Sequence, residues 1–231
     1  MISTLEKHLQ SSTGKHRARL LAKKWAWLVV IGGSRAVKQV FDLVGGCVLL
    51  LASLPVFALL AAVIKLDSPG PVLFNQIRVG RNGRLFTMYK FRTMRTDAEK
   101  LKEQLIKHNE AGGVIFKMKR DPRITRVGRI LRKLSLDELP QVINVVRGEM
   151  SIVGPRPPVP SEVAEYTPAD RRRLEARPGL TCLWQVSGRS DIPFERQVSL
   201  DVEYIETRSL WQDLVILART VPAVLLGKGA Y

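Results

Sequence analysis

At 231 residues the chain is long enough for one sizeable domain and an accessory segment. Its 37 Lys and Arg against 21 Asp and Glu leave a formal net charge of +16, which calls for a polyanionic partner: nucleic acid, an anionic membrane face or a phosphorylated substrate. Two cysteines, Cys47 and Cys182, make no disulfide framework and fit a reducing setting; the scattered His8, His16 and His108 suggest neither a metal cluster nor a histidine base, so catalysis falls to carboxylates, Arg and Lys.

Residues 1–36 form a basic extension around the apolar patch Trp25–Ile31. It reads as a segment on an anionic membrane face with its tryptophans at headgroup level, or as a disordered basic tail. The late apolar run and the lack of an A-x-A site separate it from a signal peptide. From Val44 to Ile64 no residue is charged. An unbroken helix of that length reaches about 31 Å, enough to cross a bilayer core. Pro55, behind Ser53, interrupts it, and a mid-helix proline removes a hydrogen bond and kinks the chain. Both flanks are basic, so the positive-inside rule names no translocated side. The reading is a re-entrant helix over 37–66 that bends at Ser53–Pro55 and leaves on the side it entered, with Lys38 and Asp42 placed to pair at the interface. One kinked crossing is the competing arrangement.

Beyond Leu66 the pattern is that of a soluble α/β domain, 67–231, mostly helical with a small sheet. Val72–Ile77 and Arg84–Tyr89 read as strands around Gly80-Arg81-Asn82-Gly83, a hairpin signal. Lys90–Met94 alternates basic and apolar residues, Asp97–Asn109 reads as an exposed charged helix, and Ile124–Lys133 as a short basic amphipathic one. Met150–Val153 reads as a strand entering the stiff turn Gly154–Pro160, which fixes the direction of Arg156. Arg177–Thr181 and Gln185–Arg189 are loop-rich. Leu200–Glu206 and Leu210–Leu226 read as terminal helices, with Asp201 and Glu203 as surface charges on the first. The second has a broad apolar face for the core or the membrane surface.

The stretch with chemistry in it is Ser135-Leu136-Asp137-Glu138-Leu139-Pro140-Gln141. Ser135 and Glu138 match the S-x-x-E capping box, so a helix is expected from here through Val146 with both carboxylates in its first turn. Taken alone, Glu138 closing that box and Asp137 complementing the dipole would explain the heptapeptide.

The company it keeps changes that. KFRTM (90–94), RKLSLDELPQ (132–141), MSIVGPRP (150–157), RPGLT (177–181) and QVSGR (185–189) occur in an order that resembles the bacterial sugar transferases of the monotopic phosphoglycosyl transferase type. The run 69–94 and the proline-broken membrane segment fit as well, so the resemblance covers roughly 36–225. It implies a re-entrant anchor and a cytosolic catalytic domain with interfacial amphipathic helices, on the inner face of the bacterial cytoplasmic membrane. It further implies transfer of a sugar 1-phosphate from a UDP-sugar to a polyprenol phosphate, releasing UMP, with Mg²⁺ and a phospho-sugar on the aspartate of the dyad.

Carried over, Asp137 is the nucleophile and Glu138 its metal-binding or activating partner, the two holding the metal. Lys90, Arg92, Arg132 and Arg156 become phosphate contacts, and Arg177, Gln185 and Arg189 either bind nucleotide or tie loops together. Lys38, Asp42, Ser53 and Pro55 shape the anchor. Partners implied are the two substrates and anionic lipids, with a homodimer compatible and nucleic acid not expected. Gln39 stands where the family pattern has Arg after Lys38, and Cys182 where glycine is common. The multi-helix N-terminal region of larger relatives is not expected here.

The physics points the same way, because a carboxylate attacking a diphosphate is anion meeting anion and cationic groups must offset the repulsion. A membrane-tethered nucleic-acid module is the rival from charge alone. It wants aromatics interleaved with basic patches, and here most aromatics lie among apolar residues.

Overall fold

The computed structural model describes residues 14–98, 100–101, 118, 121–188 and 192–226. The chain divides into two compact units, Met1–Phe41 and Asp42–Tyr231. Most of the charged helix read over Asp97–Asn109, and Arg189, lie outside the described residues.

Helix α1 runs from Gly14 to Asp67 and carries both the end of the first unit and the start of the second. In the first unit the Lys38 ammonium lies 5.7 Å from the centre of the Phe41 ring, a cation–π distance. The portion Ala36–Asp67 is long and apolar enough to cross a membrane, and only 17% of its most apolar window is buried. A core helix of a soluble protein would hide that surface, so these exposed side chains, among them Val48, Leu51 and Leu59, mark a membrane-associated segment. Pro55 sits inside the helix and leaves the carbonyl of Leu51 without its amide donor. One turn away, the Ser53 hydroxyl donates to the carbonyl of Leu49 at 2.6 Å.

The part of α1 that belongs to the second unit, Asp42 to Asp67, meets the rest of that unit near both its ends. The buried Asp42 carboxylate accepts the Ser151 hydroxyl at 2.8 Å and the Ile152 amide at 3.1 Å. Further along the helix, Leu60 and Ile64 form a buried cluster with Phe91 and Leu131, joined by Phe57, which meets Phe91 edge to face at 5.3 Å between ring centres.

Strands β1 (Leu73–Val79) and β2 (Leu85–Phe91) pair antiparallel, Leu73 opposite Phe91. Asn82 and Gly83 take φ of 56° and 79° in the turn between them, the positive pair that an Asn-Gly hairpin supplies. Helix α2 (Arg126–Lys133) starts on a Thr125 cap, whose hydroxyl accepts from the Gly128 amide at 2.9 Å. Gly128 packs directly on the backbone after β2: a β-carbon there would lie 2.1 Å from the Thr93 carbonyl oxygen. Gly128→Ala is therefore expected to cost roughly 1–3 kcal/mol, as overpacking does. It should also push Thr93 off its place, which denaturant unfolding beside an activity assay would register together.

A 3₁₀ helix (Leu136–Gln141) leads into α3 (Val142–Val146). Strand β3 (Ser151–Val153) pairs parallel with β4 (Gly179–Thr181), a strand inside what reads from sequence as loop. Helix α4 (Pro160–Ala164) and a 3₁₀ turn (Asp170–Glu175) intervene, and α5 (Phe194–Thr207) and α6 (Leu210–Leu226) close the fold. Helix α5 begins six residues before the expected Leu200, with Pro193 as its N-cap.

Asp201, read as a surface charge, is buried in α5 and bonded to Arg173, whose other arm donates to the Tyr166 hydroxyl at 3.1 Å. One charged group on an otherwise amphipathic helix turned inward because a buried guanidinium awaited it. Glu203 is exposed, as expected. On α6, Ile216 is buried while Trp211, Leu214, Val221 and Leu225 remain exposed, so much of its apolar face is left uncovered.

Candidate active site

The dyad sits on the 3₁₀ helix between α2 and α3, and the expected capping box is not made. Ser135 takes the left-handed conformation, φ 53°, with no side-chain cap. Pro140 explains the tighter turn, since it has no N–H to give the carbonyl of Leu136 in an α-helix. The Glu138 amide instead bonds back to the Ser135 carbonyl at 3.2 Å. Glu138, freed from capping, reaches Lys90 on β2, with Nζ 2.8 Å from Oε1.

Asp137 is buried, and its carboxylate makes no hydrogen bond to another side chain among the described residues. Burial pushes it up to about 6, opposed by the nearby Lys90 charge and reinforced by the adjoining Glu138. For Glu138 burial works in the same direction, but the Lys90 ammonium and its hydrogen bond outweigh it and hold that carboxyl below its ordinary value. The two neighbours thus differ in character. Glu138 is committed to a cation, whereas Asp137 is poorly solvated and bonded to no other side chain among the described residues.

Both face a cleft of about 1240 Å³, also lined by Gln76, Arg78, Lys90, Arg92, Arg132, Arg156 and Gln185. Arg132, from α2, donates through Nε to the Thr93 hydroxyl at 3.0 Å, which orients its guanidinium beside Asp137. Arg156 projects from the proline-stiffened turn, one-third exposed, with Glu162 Oε1 at 3.9 Å. Arg92 behaves differently: its guanidinium donates to the carbonyls of Ser68 and Pro69 and so ties the chain leaving α1 to β2. Gly70 stands in that knot, at φ 122°, where a β-carbon would strike the Arg92 guanidinium. Arg177 is half-buried and lies away from the lining.

Three contributors escaped the sequence reading. Arg78, one of the basic residues that follow the apolar run, is buried in β1, held by Gln76 and by the carbonyl of Pro157. Burial and the like charge of Arg156 lower it to about 10, which leaves it cationic at neutral pH. Its place within alternating NQIRV, between the inward Gln76 and the turn, was the available signal. Thr93 is the hydroxyl that aims Arg132. Asn144, a fully buried amide in apolar α3, accepts the Tyr89 amide at 3.2 Å and donates to the Thr87 carbonyl at 2.7 Å, so it locks the strand bearing Lys90 to the helix that follows the dyad.

Comparison with known proteins places the sequence in a family. The bacterial sugar transferase family matches residues 33–227. Galactosyl transferase CpsE of Streptococcus agalactiae is 48% identical over 194 residues, covering 84% of this chain and 43% of that protein. Exopolysaccharide production protein ExoY of Rhizobium meliloti is 44% identical over 205 residues, 87% of this chain and 90% of its own. UDP-glucose:undecaprenyl-phosphate glucose-1-phosphate transferase of Caulobacter vibrioides is 43% identical over 203 residues, 84% of this chain and 72% of that one. The chain thus spans less than half of CpsE but nearly all of ExoY. With its motifs gathered on one cleft and its length matched almost end to end, this chain belongs to the bacterial sugar transferase family.

Proposed function

We propose that the protein transfers a sugar 1-phosphate from a UDP-sugar to a polyprenol phosphate and so begins assembly of a surface glycan. The observation that carries this is the buried Asp137 carboxylate, bonded to no other side chain among the described residues and set among Lys90, Arg132 and Arg156 in one cleft, with its neighbour Glu138 held by Lys90. The names of its relatives, which speak of galactosyl transfer and of a UDP-glucose and undecaprenyl-phosphate reaction, favour the same chemistry.

In the reaction, an Asp137 carboxylate oxygen attacks the β-phosphorus of the donor. The bond from that phosphorus to the bridging oxygen breaks, and its electron pair leaves with UMP. A phosphate oxygen of the lipid then attacks the same phosphorus. The acyl-phosphate bond breaks, and the carboxylate is restored with no net proton consumed. Splitting the transfer into two displacements lets a water-soluble nucleotide and a lipid use one site in turn. Lys90, Arg132 and Arg156 offset the repulsion between attacking carboxylate and diphosphate.

The donor set fits Mg²⁺, which takes one or two carboxylates and completes its shell with phosphate oxygens and water. Asp137, whose oxygens no other side chain occupies among the described residues, and Glu138 would hold it, and the ion would supply further neutralisation of the phosphate charge. No group of three or more His, Cys, Asp or Glu suited to a metal occurs among the described residues, so a substrate-completed site is the kind these two carboxylates allow.

A re-entrant anchor is supported by where α1 touches the domain. Asp42 is bonded to β3, and Leu60 and Ile64 pack on β2 and α2, so one water-facing domain meets both ends of the apolar stretch. A straight crossing would carry those ends about 30 Å apart, to opposite faces of the bilayer. A bend at Ser53–Pro55 returns both to the cytosolic face, where Arg and Lys meet anionic lipids and the dyad meets the lipid phosphate. Purified protein given UDP-sugars, polyprenol phosphate and Mg²⁺ should release UMP in step with lipid product. Lipid product formed with UDP as the only nucleotide released would contradict the reaction.

A further inference from the structure

A guanidinium has five N–H groups. In Arg78 three are engaged: Nε and Nη2 donate to Gln76 Oε1, at 3.1 and 2.6 Å, and Nη1 donates to the Pro157 carbonyl at 2.8 Å. Five less three leaves two, one on each Nη, without an acceptor among the described residues, although the side chain is only 6% exposed. Buried donors are rarely left this way, and here they belong to a group that lines the cleft. The bond to Pro157 reaches the residue after Arg156, and the Val79 amide donates to the Pro158 carbonyl at 2.9 Å, so strand and turn are sewn together at this point. The turn that carries Arg156 is thereby fastened to the strand that carries Arg78, close enough for the two charges to act on each other. Arg156 has no nearer acceptor among the described residues than Glu162, at 3.9 Å, beyond hydrogen-bond distance. Holding like charges together with unused donors makes physical sense where an anion comes between them.

Resting on the transferase reading above, we propose that Arg78 and Arg156 form the subsite for the departing nucleoside monophosphate and grip the α-phosphate of the donor. Charge develops there. The bridging oxygen takes the electron pair of the broken bond, so the α-phosphate goes from one negative charge to two as it leaves. Lys90 and Arg132 flank Asp137 and serve the β-phosphate, which stays. The cations around the dyad are thus divided by the fate of the phosphate they touch, and Arg78 acts in the first displacement but not in the second.

The test is UMP affinity, read as product inhibition and by calorimetry on the full-length protein in detergent, for wild type, Arg78→Lys, Arg78→Met and Arg156→Lys. The lysine variants keep the charge but lose the planar fork. Each substitution should weaken UMP binding about 10- to 100-fold, in the range of one or two charge-assisted hydrogen bonds. The KM for polyprenol phosphate should stay within about twofold, a selectivity that a general loosening of the fold would not show. Should Arg78→Met fail to fold, the two lysine variants carry the comparison. Wild-type UMP affinity in either lysine variant, or equal losses for nucleotide and lipid acceptor, would overturn the subsite. Wild-type protein that releases no UMP from any UDP-sugar would instead overturn the transferase reading, and the subsite with it.

Discussion

Asp137→Asn is expected to reduce UMP release by at least about 10⁴-fold, the scale on which removal of a nucleophile acts, and at the same time to make the protein more stable at neutral pH. The second effect follows from burial. The Asp137 carboxyl is raised from 3.8 to about 6, so between those values the native state binds more protons than the unfolded chain. Stability then declines as pH rises from about 4 to 6 and stays lower above that range. Two units at roughly 1.4 kcal/mol each set an upper scale, and on the order of 2 kcal/mol is expected after relaxation. The neutral amide of Asn has no such titration. Unfolding curves in EDTA at pH 4, 5, 6 and 7.5 test this without interference from metal. Wild type should lose stability across that series relative to Asp137→Asn, and identical curves would refute the burial argument. A group that destabilises its own fold where the protein works is the mark of function.

Lys90→Met should be damaging too, though less so, for two separable reasons. The ammonium is the partner of Glu138, and both side chains are about three-quarters hidden. Removing it strands a carboxylate, which costs about 2 kcal/mol, below the 3–5 typical of a fully buried pair. Under the proposed reaction it also removes a cation that offsets the charge of the donor phosphates, worth about 10²- to 10³-fold in kcat. The double variant Lys90→Met/Glu138→Gln separates the two, because neutralising both partners removes the stranded charge. Most of the stability should return, and the activity should not. Recovery of both together would mean that Lys90 serves the fold alone.

How far the chain is legible before it is folded depends on whether the deciding contact is local. The hairpin turn was readable because Asn82-Gly83 supplies positive φ by itself, and Leu210–Leu226 because its period is its own. The capping box misled for a local reason overlooked, Pro140, and a distant one, since Lys90 lies 48 residues before the glutamate it captures. Asp201 looked like surface charge because Arg173, 28 residues earlier, is invisible to helical periodicity. Strand β4 has three residues and exists only by parallel pairing with β3, which no short-range pattern announces. The motifs around Asp137 were legible as a set, whereas the differing duties of their arginines were not. Arg92 holds backbone carbonyls and Arg132 is aimed by Thr93, distinctions made by tertiary contacts.

The central claim is that Asp137 carries the phospho-sugar between the two substrates. It is tested most directly by acid-quenching the enzyme after exposure to UDP-sugar and Mg²⁺ without lipid acceptor, then weighing its peptides. The peptide containing Asp137 should gain the mass of one sugar phosphate and lose it again when polyprenol phosphate is added before the quench. An unmodified peptide, from enzyme that makes lipid product as soon as acceptor is supplied, would contradict the claim.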